Sequence, residues 1–584
     1  MGTLPDPDSA PGTTSITVER GRRGVSCAPA PRAEAPDDSA PHSDADEPDS
    51  TWLWLRDLYL SFDRRTLGFT RILLGIFLIF DLLRRTPDWL WMFSDEGVLP
   101  SAHNLWRPQS GGWSLFNAFS TSGELWALWL LGLVIFTMLL LGYKTRVVQV
   151  LAAIYIASAN GRVLLIENGG YVVQNLLLLW TAFLPLGDRF SIDAWQCSWR
   201  RREQNEADLN DWNSRIPARV AQPHVSLLGA VLLLQLGALY FFNVVHKTGP
   251  AWSNDTAVHY VLYNDRMATP LVAAVRDHLP NALIFFLSKL SMVLEASVPL
   301  CLFSPLARVW SRRFVVVAMF LLHVGFGSSF VLGPFAWSLC VFASLFVSRE
   351  DWQLLQRVMR RNKRAVTLRY NPRSRAAFAI CRAVKRLDGL QLVRFEASPE
   401  TPLLSVVQHN QRVTAGAAVA AVVSALPLGP LLGVVIGAPP MVWLFDAATP
   451  RISRRLRQAD PPQWTPRGAF REQDDPALDF VSCWLRQRGA LRHVGLSIAG
   501  AWLAVFGGPM LARVNKEWPQ IKLAGMPLGD VLFWLGIVLA TLGMLWLLAS
   551  LWRTAWALQA EGHRKVLRLS AVAREVLVVV MLAA

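Results

Sequence analysis

Between residues 67 and 347 the chain passes through eight apolar stretches separated by polar loops. They cover 67–83, 126–141, 147–158, 171–186, 225–242, 282–303, 314–332 and 335–347. Inside a bilayer no water is at hand for backbone amides and carbonyls, so a spanning chain is restricted to helices or a closed barrel. A hydrocarbon core takes about 20 residues of helix but only about 9–11 of strand. Most of these stretches run well past strand length, and the pattern predicts helices; the third, fourth and eighth are short. Apolar stretches at 494–511 and 531–551 predict two more spans. The expected fold class is an all-α polytopic membrane protein. It has about eight spans in a first domain, 51–350, and about two more, with an amphipathic tail, in 491–584.

Charge supports that class. Only 17% of the residues are charged, against about 25% in soluble domains. The 25 tryptophans suit two interfacial belts. The net charge of +15 fits basic loops facing anionic lipid. No basic run is interleaved with base-stacking residues, so nucleic acid is not an expected partner. The six cysteines, Cys27, Cys197, Cys301, Cys340, Cys381 and Cys483, stand singly without a CxxC, so no metal knuckle or redox pair is expected.

Residues 1–50 are rich in Pro, Ser, Ala, Asp and Glu and predict a disordered tail without a signal-peptide core. Residues 51–65 alternate aromatic and charged positions and predict an interfacial helix. Lys and Arg concentrate in alternate loops: at 144–146, at 189–219, at 308–313 and after 350. The positive-inside tendency places those loops in the cytoplasm. It makes the N-terminus cytoplasmic in a multi-pass protein of the cell inner membrane. It also turns the loops at 85–124, 160–170 and 247–280 outward.

Residues 364–456 change character. Strand-like RAVTLRY and GLQLVRFEA flank an amphipathic SRAAFAICRAVKRLD, and a strand, a turn and a helix follow, which predicts a small α/β insert. Four prolines break 415–445, which favours a soluble or interfacial helix pair over a span. Residues 457–490 predict a linker.

The chemistry centres on 235–265, where an apolar segment runs into an aromatic-rich polar loop carrying Asn243, His246, Lys247 and Trp252. No acid lies beside Lys247 in the sequence. A lysine desolvated among aromatics becomes a usable base; a lysine at the end of a span also simply snorkels to the interface. Glu295 and His323 lie inside predicted spans, where ionisable residues are candidate functional groups. Glu295 awaits a partner on a neighbouring helix, since Lys289 falls on the wrong side of its own.

Several motifs, in order, carry a resemblance. They are SFDRRTLGFTRILLGIFLIFDLL, SDEGVLP, NGRVLLIENGGYVVQNLLLLWTAFLPLGDRFSID, YFFNVVHKTGPAW and LLHVGFGSSFVLGPFAW. Together they make residues 60–350 resemble the HTTM family, the membrane domain related to vitamin K-dependent gamma-carboxylase. The resemblance implies Lys247 as the base acting on reduced vitamin K or menaquinone, and His323 as a second catalytic residue. The expected binding set is Asn168 and Trp252, at places the family motifs match, with His246 and Glu295 read from the sequence itself. A quinone-dependent, carboxylase-like lyase with a protein or peptide substrate follows. The family's loop histidine falls on Gly169 here, and its large lumenal domain has no counterpart. Residues 364–456 resemble the DCC-type thiol-disulfide oxidoreductase module, a thioredoxin-like fold. The two cysteine places fall on Ser374 and Ala377, so a redox-dead insert is expected. The alternative function is a non-catalytic scaffold that binds or transports a lipid or quinone.

Overall fold

The computed structural model describes residues 50–102, 114–163, 168–199, 206–210, 223–361, 365–372, 374–399, 404–408, 411–426, 429–457, 480–485, 495–496, 499–500, 515–516, 518–523, 525–560 and 569–583. The expected disordered tail, most of the expected linker and most of the span at 494–511 lie outside the described residues. Contacts divide the chain into two units, His42–Ser482 with Arg568–Ala584, and Met1–Pro41 with Cys483–Leu567.

The first unit is a helical bundle. Its main helices are α1 (Ser50–Tyr59), α2 (Arg64–Arg85), α3 (Ser122–Leu141), α4 (Thr145–Arg162), α5 (Gly169–Thr181), α6 (Leu228–Val245), α7 (Asn281–Phe303), α8 (Arg308–Ser329), α9 (Phe335–Ser344) and α10 (Arg349–Arg361). Helix α2 packs on α3 and α9; α3, α4 and α5 follow in sequence, and α5 returns to α9. From α9 the contacts pass to α8, then α7, then α6. Six helices among the described residues are long and apolar enough to cross a membrane: α2, α3, α6, α7, α8 and, in the second unit, Leu528–Leu558. Their outward faces carry large apolar side chains such as Ile76, Phe80, Leu130, Phe286, Val293 and Phe320. Exposed apolar surface on membrane-length helices is compatible with a lipid environment.

Three expected spans differ. Helix α4 has 18 residues but carries Arg146, Gln149, Asn160 and Arg162. Helices α5, with 13 residues, and α9, with 10, fall short of the hydrocarbon thickness. Both pack in the bundle core through Leu177, Leu178, Leu339 and Phe342. The expected interfacial helix at 51–65 stops at Tyr59, because Ser61–Phe62 pairs antiparallel with His224–Val225.

Local chemistry fixes the helix ends. Helix α3 opens on a capping box between Thr121 and Glu124. It closes on Gly142, in the left-handed region at φ 71°. There the buried Arg71 donates Nη1 to the carbonyls of Leu139 and Leu140, at 2.7 and 2.5 Å, and Nη2 to Phe190 at 2.6 Å. A guanidinium thus meets the last carbonyls and the negative dipole end of α3. A Cβ at Gly142 would sit 2.4 Å from Ser191 Cβ and 2.7 Å from Arg71 Nη1. Gly142→Ala is therefore expected to cost about 1–3 kcal/mol through strain and displacement of Arg71, seen as a lowered midpoint of thermal unfolding in detergent.

The α/β insert forms a four-stranded sheet: β1 (Val366–Tyr370), β2 (Val393–Ala397), β3 (Leu404–Gln408) and β4 (Gln411–Thr414), in the order β2-β1-β3-β4. Strands β1 and β2 are parallel and joined through the helix Arg375–Leu387; β1–β3 and β3–β4 are antiparallel. The expected single strand before 415 is a hairpin, Gln408 facing Gln411. The expected helix pair at 415–445 is three helices, Ala415–Ala425, Gly429–Ile436 and Pro439–Arg457. The short helix Glu206–Asn210 covers the edge of β2: Asn210 exchanges bonds of 2.8 and 2.9 Å with the Phe395 backbone. Cys381 is fully buried in this core with Leu368, Tyr370 and Val406, and burial pushes its thiol well above the ordinary range. The thiolate is the reactive form. Iodoacetamide is expected to label exposed Cys197 and to leave Cys381 unmodified up to pH 9 until the protein unfolds, read by peptide mass spectrometry.

Candidate functional site

Helix α6 presents Tyr240 and Asn243 at i and i+3, on one stripe, and Lys247 follows two residues past its last helical residue. The helix ends at Val245 and His246 takes the cap position. Gly249 and Pro250 then start a short helix, Pro250–Ser253, with proline at its first position. That turn brings Trp252 back over the stripe, with the Lys247 ammonium 4.3 Å from the indole centroid.

Glu295 reaches the stripe from α7. Its carboxylate forms an ion pair with Lys247 and accepts a 2.8 Å bond from Asn243 Nδ2. The side chains of Lys247 and Glu295 are 13% and 3% exposed. No acid neighbours Lys247 in the sequence; its carboxylate partner lies 48 residues away on α7. Lys289, as expected, is not that partner; it pairs with Asp255 at 3.4 Å.

Deeper along the stripe the Tyr240 hydroxyl and His323 Nε2 are 2.5 Å apart, and both groups are buried. His323 sits among rings: Tyr240, Phe326 and Phe335 meet it edge-on at 6.0, 5.9 and 5.8 Å. Its Nδ1 is buried and has no hydrogen-bond partner among the described residues. Lys247, Glu295 and Trp252 therefore meet in one cluster with Asn243, while His323 meets Tyr240 deeper along the same stripe of α6. The spacing of Tyr240 from Lys247 is the signal that could have found it.

His246 and Asn168 both stand at helix ends. His246 is exposed and its Nδ1 lies 2.7 Å from the Phe242 carbonyl. Asn168 is exposed and caps α5, accepting a 2.8 Å bond from Gly170 N. Gly169, the place of the family's loop histidine, is exposed, with open space around an added Cβ.

A second polar cluster was not anticipated. Asp81 on α2 accepts from Arg84 at 2.8 Å, Arg85 at 3.0 Å and Gln174 at 3.3 Å. Arg85 also donates to Asn160 at 2.8 Å, and Asn160 donates to Gln174 at 3.2 Å. Arg85 stacks over Tyr171 at 5.0 Å. Asp81, Arg85, Asn160 and Gln174 are all buried. Arg162 is also buried, donating to the carbonyls of Leu99 and Phe93 at 2.7 and 3.3 Å. Among the described residues no group of three or more His, Cys, Asp and Glu side chains is placed to hold a metal ion.

Architecture and site define a class: a predominantly helical protein, 73% helix, with six apolar helices of membrane-crossing length and a small sheet. Beyond that class, no family model, no curated protein and no solved structure matches the chain.

Proposed function

We propose that this chain is a multi-pass membrane enzyme of the quinone-dependent carboxylase kind, with the Lys247–Glu295 pair as its proton-accepting centre. The observation that carries the reading is the ion pair itself, largely withdrawn from solvent, roofed by Trp252 and flanked by Asn243. A lone buried lysine meets a high cost of desolvation in its charged form. Paired with Glu295, Lys247 Nζ can hand a proton to Glu295 Oε2, become a neutral amine, and take the proton of an acidic hydroxyl presented to it. The net transfer ends on Glu295, and the ammonium is restored beside the new anion. Tyr240 orients His323 through Nε2, leaving Nδ1 to hold or accept a proton on the apolar side of the cluster.

The residues present fit a reduced quinone such as vitamin K hydroquinone or menaquinol. Trp252 offers a flat half-buried face, Lys247 an ionisable nitrogen, and His323 Nδ1 a buried nitrogen without a partner. The bound quinol would supply the acidic hydroxyl and the electrons for chemistry with oxygen. A protein or peptide substrate belongs to the same reading.

The reading extends to topology. About ten spans would have to include the short or polar helices α4, α5 and α9 beside those of membrane length; a cytoplasmic N-terminus, inner-membrane placement and an outward Lys247 loop rest on the distribution of Lys and Arg. A thioredoxin-like assignment of the insert draws support from its βαβ unit followed by an antiparallel hairpin on the β1 side. The scaffold alternative, binding or transporting a lipid or quinone, draws on Gly169, which leaves the loop without the family's histidine.

The test is menaquinol oxidation by purified Glu295→Gln. The proposal expects a fall of about 100-fold or more in kcat, with a smaller change in KM, as for loss of a proton acceptor. An unchanged kcat removes Glu295 from the reaction.

A further inference from the structure

At the end of α6 opposite Lys247 lies a cavity of about 490 Å3, bounded by Gly229 and Leu233 of α6 and by the start of α8. Six guanidinium side chains line it: Arg64, Arg65, Arg189, Arg308, Arg312 and Arg349. Only three acids, Asp57, Asp63 and Glu350, line it with them. Each acid already has a cation. Asp57 pairs with Arg56 at 2.7 Å, Asp63 with Arg65 at 2.7 Å, and Glu350 with Arg308 at 2.8 Å. Arg64 pairs with Asp188.

Three guanidinium groups form no ion pair among the described residues. Arg312 is buried, gives one bond of 3.0 Å to the Leu58 carbonyl, and lies over the Phe346 ring at 5.6 Å. Arg349 is exposed at the rim. Arg189 makes no hydrogen bond or ion pair with the described residues, and its Nε is buried without a partner. Burial pushes Arg189 down to about 10, helped by Arg65 and Arg64 and opposed by Asp63 and Asp188. Gathering uncompensated guanidinium groups in a half-buried cavity is unfavourable without an anion. Planar guanidinium forks match the oxygens of a phosphate group bidentately. Tyr59, Leu345 and Phe346 share the wall, so the cavity offers apolar surface beside the cationic one.

We propose that this cavity binds a phosphate group, held by Arg189, Arg312 and Arg349. The group belongs either to an anionic lipid headgroup or to a soluble phosphate ester. The site lies at the opposite end of α6 from the Lys247 cluster and does not depend on its chemistry.

The experiment uses the full chain in a neutral detergent. Midpoints of thermal unfolding are recorded with dioleoylphosphatidylglycerol against dioleoylphosphatidylcholine, and with sodium phosphate against sodium chloride at equal ionic strength. The wild type is expected to be stabilised by an anionic arm over its control. Arg189→Gln and Arg312→Gln are expected to need about tenfold more ligand, as for one charged hydrogen bond. Should either fail to fold, Arg349→Gln, at the exposed rim, carries the test with an expected weakening of about threefold. Stabilisation by phosphatidylglycerol alone assigns a lipid headgroup; stabilisation by phosphate as well assigns a soluble ester. Equal responses of the wild type and the variants, or no anionic effect in the wild type, overturn the proposal.

Discussion

Lys247→Met is expected to lower the stability of the bundle by about 3 kcal/mol, because it leaves the Glu295 carboxylate buried with Asn243 alone. Breaking a buried pair costs more than the pair is worth, since the survivor keeps its desolvation penalty. The double variant Lys247→Met, Glu295→Leu removes that penalty and is expected to recover most of the loss. A thermal-unfolding series in detergent on the wild type, both single variants and the double variant gives the coupling directly. Additive single effects would mean the two groups do not interact.

Asp81→Leu is expected to be at least as costly, about 3–5 kcal/mol. Asp81 is the only carboxylate in the network described around it, and Arg84, Arg85 and Gln174 all donate to it. Arg85 and Gln174 are themselves buried, so neither can turn to water when the acid goes. Asp81→Asn keeps an acceptor oxygen and the shape, and is expected to cost roughly half as much. The same unfolding assay, with retention on size exclusion as a check of folding, separates the two. Equal and small losses would show the network to be solvated.

The bundle was legible where apolar length alone decides the outcome. Helices α2, α3, α6, α7 and α8 coincide with stretches that are apolar for long enough to cross a bilayer. Helices α4, α5 and α9 were read as spans because they are apolar; they are not among the helices of membrane length and composition, and they pack in the bundle core. Tyr155 of α4, for instance, donates its hydroxyl to the Leu128 carbonyl of α3 at 3.0 Å, a contact no local pattern announces. The pairing of 404–408 with 411–414 was missed because the sequence joining them carries no glycine.

At the site, the types of residue were legible and their pairing was not. Glu295 stood out as an acid in an apolar span, and Lys247 as a cation just past one. The contact between them needs the crossing of α6 and α7, which sequence spacing does not encode. Asp81 escaped notice because Arg84 and Arg85 follow it, and a DLLRR run at the end of a span reads as an interfacial flank. Asn168 drew attention through the family resemblance and His246 through its place in the sequence, and both turn out to serve helix ends.

The most direct measurement is the oxidation of reduced menaquinone or vitamin K hydroquinone by the purified protein, wild type beside Lys247→Ala, with epoxide formation and quinone binding followed in the same samples. The account predicts epoxide from the wild type and none from Lys247→Ala, with binding retained in both. Binding by both proteins with turnover by neither would contradict it, leaving a quinone-binding scaffold in which Lys247 and Glu295 only hold the bundle together.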